Sequence, residues 1–218
     1  MSDAQRLHWE REYLARPARF GWRESEAAVR ARAIFAAGGS RLVVDFGCGN
    51  GRDALAFAAC GLRVVALDYS ASAVAALRDH AVAGGFAERI DARTHDVREA
   101  LPLPDASVDG VFAHMLHCMA LREDEVDGLL RETYRVLRPG GVSIFSVRND
   151  RDPDCTLGAA LPEGLRDVDG DVIRFFSRGD AERAVGAFDA PTVDEFEEGS
   201  LPKRLYLVTA RKPALSAP

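Results

Sequence analysis

The fold this sequence predicts is a three-layer α/β/α sandwich, with helices on both faces of a seven-stranded, mostly parallel sheet. Three observations predict it. An apolar run, Leu42-Val43-Val44-Asp45, meets three glycines at alternate positions, Gly47, Gly49 and Gly51, and a helical stretch over 53–59 follows at once. Further apolar runs then alternate with helical segments, and the right-handed rule for parallel crossovers leaves few other arrangements. Finally, residues 192–196 and 204–210 alternate apolar and polar positions, the pattern of an antiparallel hairpin closing the sheet.

The elements follow in order. Residues 3–16 read as a helix, with Leu7, Tyr13 and Leu14 apolar among charges. Trp9, Tyr13, Phe20 and Trp22 all precede the first strand. Rings of that size dock a capping helix onto the sheet or wall a ligand beneath it, and one arrangement can do both. A second helix over 24–37 stops at Gly38-Gly39. Past the glycine turn, a strand over 64–67 ends in Asp68. Ser70 then caps a helix over 71–83 that Gly84-Gly85 closes. The third strand spans 90–94, with His95-Asp96 at its end, and the fourth spans 109–113. Residues 123–137 put Val126, Leu129, Leu130, Thr133 and Leu137 on one helical face, and Pro139-Gly140-Gly141 turns the chain into a fifth strand over 142–147. The next interval holds Gly158, Pro162, Gly164 and Gly170 and is expected to be long and irregular, as functional loops are. Ser177 caps a last helix expected to reach Phe188. Residues 1–212 are expected to form one domain. Within it, 1–39 is a helical cap or lid and 149–176 a substrate-side insertion, while 213–218 is a disordered Pro/Ala/Ser tail.

Composition narrows the partners. The chain has 218 residues, 47% hydrophobic and 28% charged, enough for a sizeable core. A net charge of −6 and scattered basic residues argue against nucleic acid, which needs a basic face. Cys48, Cys60, Cys118 and Cys155 show no C-x-x-C and no metal-ligand spacing, so reduced thiols and no bound metal are expected. The N-terminal stretch is charged and carries no apolar run of signal or membrane length. A soluble, cytoplasmic monomer or homodimer with no membrane partner is the expectation.

The glycine turn exposes backbone and unpaired helix N–H groups to a ligand. The dinucleotide pattern G-x-G-x-x-G fails here, because Arg52 stands in its third glycine slot, and no phosphate-cradling Lys-Ser/Thr follows. Asp68, roughly 20 residues on, stands where such folds keep a ribose-binding acid. An ordinary strand-to-helix turn accounts for the glycines but not for evenly placed acids at three strand ends. Asp45-Phe46-Gly47-Cys48-Gly49-Asn50-Gly51 resembles the first motif of class I S-adenosylmethionine (SAM) dependent methyltransferases. Val65-Ala66-Leu67-Asp68-Tyr69-Ser70 is similar to the acidic end of their second strand. His95-Asp96-Val97 and Leu137-Arg138-Pro139-Gly140-Gly141 carry the likeness across roughly residues 40–150.

That resemblance implies a Rossmann-like sheet, SAM as cofactor and S-adenosylhomocysteine (SAH) as product. It implies that Asp68 holds the ribose diol, Asp96 the adenine amino group with Val97 beside it, and Asp45 the amino-acid end. Gly47, Cys48, Gly49, Asn50, Gly51, Tyr69 and His114 complete the implied cofactor set. The segment His114-Met115-Leu116-His117-Cys118-Met119 is implied to face the methyl group. There His117 is the candidate general base, since imidazole titrates near neutrality, and a structural histidine is the alternative. His114 reads as a positioning residue and Cys118 as a small buried hydrophobe. Trp9, Tyr13 and Phe20 are candidate substrate-side rings, one of which would gain cation–π attraction beside a sulfonium. Ser146-Val147-Arg148-Asn149, Asp169-Gly170 and Arg174-Phe175-Phe176-Ser177 look like a small-molecule branch that includes tellurite-resistance-type enzymes, although Arg174 stands where a histidine is expected. Arg148 and Arg174 either clamp an anionic substrate group or sit solvated at the surface.

The implied function is methyl transfer to a small-molecule acceptor, at oxygen or nitrogen of a metabolite or natural product. Methylation of sulfur or a heavier chalcogen in detoxification is the competing chemistry. A nicotinamide-dependent oxidoreductase and a non-catalytic SAM-binding protein are the rival classes.

Overall fold

The computed structural model describes residues 3–199 and 203–214. Most of the expected tail, 213–218, lies outside the described residues. Helices α1 (Asp3–Ala15) and α2 (Glu26–Ala37) precede β1 (Leu42–Phe46). Then come α3 (Arg52–Ala59), β2 (Arg63–Asp68), α4 (Ala71–Ala83), β3 (Ile90–Thr94) and β4 (Val108–His114). Helix α5 (Glu123–Val136) leads into β5 (Leu137–Arg148). The sheet order is β3-β2-β1-β4-β5, extended by β10 (Lys203–Arg211) and β9 (Asp189–Glu198), which makes seven strands. Every pairing from β3 to β5 is parallel, and β10 runs antiparallel to both β5 and β9.

Successive strand residues point to opposite faces, so each parallel strand feeds two cores. Val43, Val64, Ala66, Phe112 and Ile144 pack with α2, α3 and α4 on one face. Val44, Phe46, Leu67, Val111 and Phe145 pack with α5 on the other. The cap read at Ser70 is present, and Ser25 caps α2 in the same way. Ser25 and Ser70 accept the Ala28 and Ala73 amides at 3.0 and 3.2 Å. Gly51 is required twice over: its φ is 86°, and an added Cβ there would run into the Leu77 side chain of α4.

The interval after β5 differs from expectation. It is ordered, with a short α6 (Asp154–Leu157) and three antiparallel strands, β6 (Ala159–Ala160), β7 (Leu165–Val168) and β8 (Asp171–Arg174). Asp169 and Gly170, with φ 54° and 90°, form the two-residue turn that pairs Val168 with Asp171. Asp-Gly suits that turn because both central residues need positive φ. The last helix, α7 (Arg178–Ala184), also stops short of Phe188. Among the described residues no helix is long and apolar enough to cross a membrane.

Candidate active site

The strand order reverses between β1 and β4, and ligands of open α/β sheets gather beyond the carboxyl ends at such a point. A cavity of about 620 Å³ opens there. Asp45, Gly47, Cys48, Gly49, Asn50, Asp68, Tyr69 and His114 line it, as do Trp9, Tyr13 and Phe20. Gly51 does not, since its open side faces Leu77.

Asp68 is 5% exposed, and its two carboxylate oxygens accept the Gly49 and Ser70 amides, each at 2.9 Å. Each oxygen keeps a lone pair for a further donor. Burial pushes this carboxyl up to about 6, against the two amides that favour its charge. Asp45 is more exacting. It is 2% exposed, and its Oδ2 has no hydrogen-bond partner. Burial first, then the charges of Asp53 and Asp68, hold it well above the usual carboxylate range. A buried carboxylate without a cation is unfavourable, so this atom calls for a positively charged ligand group. The α-ammonium of SAM meets that need, and the hydroxyls of its ribose suit Asp68. The residues present fit the cofactor.

A pH dependence follows. The folded carboxyl of Asp68, near 6, lies above the ordinary 3.8, so its protonated form favours the unliganded fold at low pH. That contribution disappears as pH rises through this window, and the charged form then needs donors. The expected result is SAH affinity that strengthens from about pH 5 to about pH 7, with protons released on binding. Calorimetry in buffers of different ionisation enthalpy measures both.

Tyr69 also lines a second, polar cavity of about 340 Å³ with Thr94, His95 and Asp96. Asp96 is expected to receive the adenine amino group, yet here its carboxylate is bound by the Arg98 guanidinium and amide. Val97 is 4% exposed within the apolar core and lines neither cavity. Asn50 turns its amide to the Pro17 and Gly21 carbonyls, at 2.9 and 3.3 Å, which ties the glycine turn to the N-terminal segment. Cys48 is buried beside the turn.

The N-terminal segment is both dock and wall. Glu10 accepts the Ser70 hydroxyl at 2.6 Å, and Tyr13 leans on Gly49. Trp9, Tyr13 and Phe20 stand with ring centroids 6.0 to 6.3 Å apart. Arg19 lies over Trp9 and Phe20 at 5.3 and 5.2 Å and pairs with Asp171 of β8 at 2.9 Å. His8 reaches the same carboxylate at 3.0 Å. The small sheet thus closes the cavity opposite the glycine turn, adding Asp171 and Ile173 to its lining.

At the end of β4, His114 and not His117 meets the cavity. The Ser146 hydroxyl accepts the Met115 amide at 3.1 Å and lies 2.8 Å from His114 Nδ1. Nε2 points to Glu198 Oε2 at 3.7 Å. Burial, with Arg52 and Lys203 nearby, lowers the imidazole to about 3, so it is neutral. Glu198 Oε1 accepts from Arg52 at 3.2 Å, while Oε2 is buried with no hydrogen-bond partner. Burial raises this carboxyl, and Arg52 opposes the rise.

Three further expected site residues fall elsewhere. The chain reverses at Met115, whose φ is 57°, and His117 turns inward against Phe145 with centroids 4.5 Å apart. It is 2% exposed and outside the cavity lining, and burial lowers its imidazole to about 4. Both its ring nitrogens are buried without a hydrogen-bond partner, and the ring packs on Phe145 away from the cavity lining. Its folded value lies below the ordinary 6.5, so the unfolded chain takes the proton first and stability is lost as pH falls between them. His117→Ala is expected to cost about 1–3 kcal/mol of stability, read in denaturant melts, while SAH affinity stays within about threefold. Arg148 is 1% exposed and serves the two carboxylates of Asp152 and Asp154, a buried ion pair that uses up its fork. Arg174 binds the Glu163 and Leu121 carbonyls at 3.0 and 3.3 Å. Neither arginine lines the cavity.

Glu198 and Lys203, which do line it, have no sequence signal. Glu198 ends an acidic edge strand that reads as a solvated face, and Lys203 opens its neighbour.

Sheet order, glycine turn and two buried acids define a SAM-binding α/β protein of the class I methyltransferase type. Residues 43–141 match the family described as Methyltransferase domain. A malonyl-[acyl-carrier protein] O-methyltransferase of Yersinia pestis is 33% identical over 129 residues, 59% of this chain and 43% of that one. A probable S-adenosylmethionine-dependent methyltransferase of Mycolicibacterium smegmatis is 40% identical over 111 residues, 50% of this chain and 38% of that one. The matches therefore span less than half of each relative's length. The crystal structure of the Burkholderia thailandensis 1,6-didemethyltoxoflavin-N1-methyltransferase, with SAH bound, shares the fold at a TM-score of 0.75. It is 21% identical, covering 97% of this chain and 88% of that one. The nicotinamide-dependent alternative falls with these matches.

Proposed function

We propose that the protein transfers the methyl group of SAM to oxygen or nitrogen of a small molecule held between the N-terminal aromatics and the end of β4. The observation that carries this reading is Asp45 Oδ2, a buried oxygen without a partner, in a cavity whose far wall is aromatic and apolar. Asp45 holds the amino-acid end, Asp68 the ribose, and Tyr69 stands toward the adenine side. When bound, SAM supplies a methyl group already activated by its sulfonium. The chain's task is to hold the acceptor close and in line, and to exclude water. Trp9, Phe20, Met115, Met119 and Ile173 supply the dry wall.

An acceptor that arrives as O–H or N–H must also lose a proton. Glu198 Oε2 is placed to take it, with the neutral His114 ring 3.7 Å away. The N1-methyltransferase with the same fold and the O-methyltransferases of similar sequence both act, by name, on acceptors of these atom types.

The test is calorimetry with SAH, followed by incubation with SAM and a panel of phenols, amines and thiols, reading SAH formation and methylated product. Tight SAH binding with acceptor-dependent turnover supports the reading. SAH binding without turnover on any nucleophile class would leave a cofactor-binding protein only.

A further inference from the structure

We propose that the acceptor carries a carboxylate, and that Lys203 is its docking cation. The inference rests on the methyl-transfer reading and specifies its substrate class. Lys203, the first residue of β10, lines the cavity. Among the described residues the other charges at that end are matched: Arg19 with Asp171 and Glu12, Arg52 with Glu198, His8 with Asp171. Lys203 makes no hydrogen bond or ion pair with a described residue. Its cross-strand neighbour is Glu198, but that side chain turns to Arg52. A half-buried ammonium that no described carboxylate pairs is an open docking point on the cavity wall, and a ligand anion supplies its partner.

The amino-acid carboxylate of the cofactor is the competing anion, and the SAH affinity of the Lys203 variants below separates the two. Ammonium and carboxylate share one carbon there, so the carboxylate must lie near Asp45. The charges that act on Asp45 are Asp53, Asp68 and Arg52. Those that act on Lys203 are Arg148, Asp171, Arg19 and Asp154, on the side of the small sheet. Lys203 also acts on His114, which places the anion within reach of the pair that would handle the acceptor proton. Trp9, Phe20, Met119 and Ile173 on the same cavity call for a flat, apolar body. Together these describe a hydroxy- or amino-substituted aromatic acid.

The test uses the full chain saturated with SAH. Benzoate, phenylacetate and their hydroxy derivatives are titrated by calorimetry beside the uncharged amides of the same shape. The expected result is that at least one acid binds tenfold or more above its amide. Lys203→Gln should erase that preference, Lys203→Arg should keep most of it, and SAH affinity should stay within about threefold in both. Only two lysines occur in the chain, Lys203 and Lys212, so protection of Lys203 from acetylation by the acid, mapped by mass spectrometry, gives a second readout on the unmutated protein. Equal binding of acids and amides, or no binding by any acid, overturns the proposal. So does a Lys203→Gln variant that loses SAH instead. Failure of SAH itself to bind the unmutated chain overturns the methyl-transfer reading, a separate outcome.

Discussion

Asp68→Ala is expected to weaken SAH binding by about 2–4 kcal/mol, roughly 30- to 700-fold. The estimate takes two ribose hydroxyls donating to a charged acceptor, at roughly 1.5–3 kcal/mol each, with partial compensation by water. The side chain does more than face the cavity. It also receives the Gly49 and Ser70 amides, so its removal leaves the glycine turn and the start of α4 without an acceptor. Asp68→Asn separates the two contributions. The carboxamide oxygen keeps one amide acceptor, whereas its NH₂ faces a donor, so a loss between wild type and alanine is expected. Calorimetry on folded protein reads both, and a change under about threefold for alanine would remove Asp68 from the cofactor site.

Glu198→Gln is expected to lower turnover on an O–H or N–H acceptor by about 10²–10⁴-fold while SAH affinity stays within about threefold. Glutamine keeps the shape and the contact with Arg52 but cannot take a proton. The buried carboxyl is raised above its ordinary value, so the wild-type rate should climb with pH as Glu198 ionises, and the variant should lack that limb. Full turnover in the variant would show that the acceptor arrives already ionised, as a thiolate or carboxylate does, and that positioning alone suffices.

These two residues mark how far reading the chain goes. Asp68 was legible because a local pattern carries it: an apolar run, an acid at its end and a fixed interval from the glycines. Asp45 and the glycine turn are legible for the same reason, as are the caps Ser70 and Ser177 and the closing hairpin. Glu198 lies 146 residues beyond Arg52, its partner, and no spacing rule joins them. His114 and His117 are indistinguishable as residue types on one short loop. The backbone reversal at Met115 turns one to the cavity and the other into the core. Arg148 and Arg174 look alike as anion clamps until Asp152 and Asp154 hold the one, and two carbonyls hold the terminal nitrogens of the other, both away from the cavity lining. The small sheet had one readable cue, Asp169-Gly170, a turn dipeptide between two short alternating runs.

Periodicity and turn chemistry act between neighbours in the chain, so the sequence by itself determined the strand and helix order, the sheet class and the cofactor turn. Which polar side chains remain unmatched depends on long-range packing that brings distant charges together. Only the tertiary structure could decide that Asp45, Glu198 and Lys203 face the cavity without a full complement of partners, because pairing and burial are properties of the folded whole.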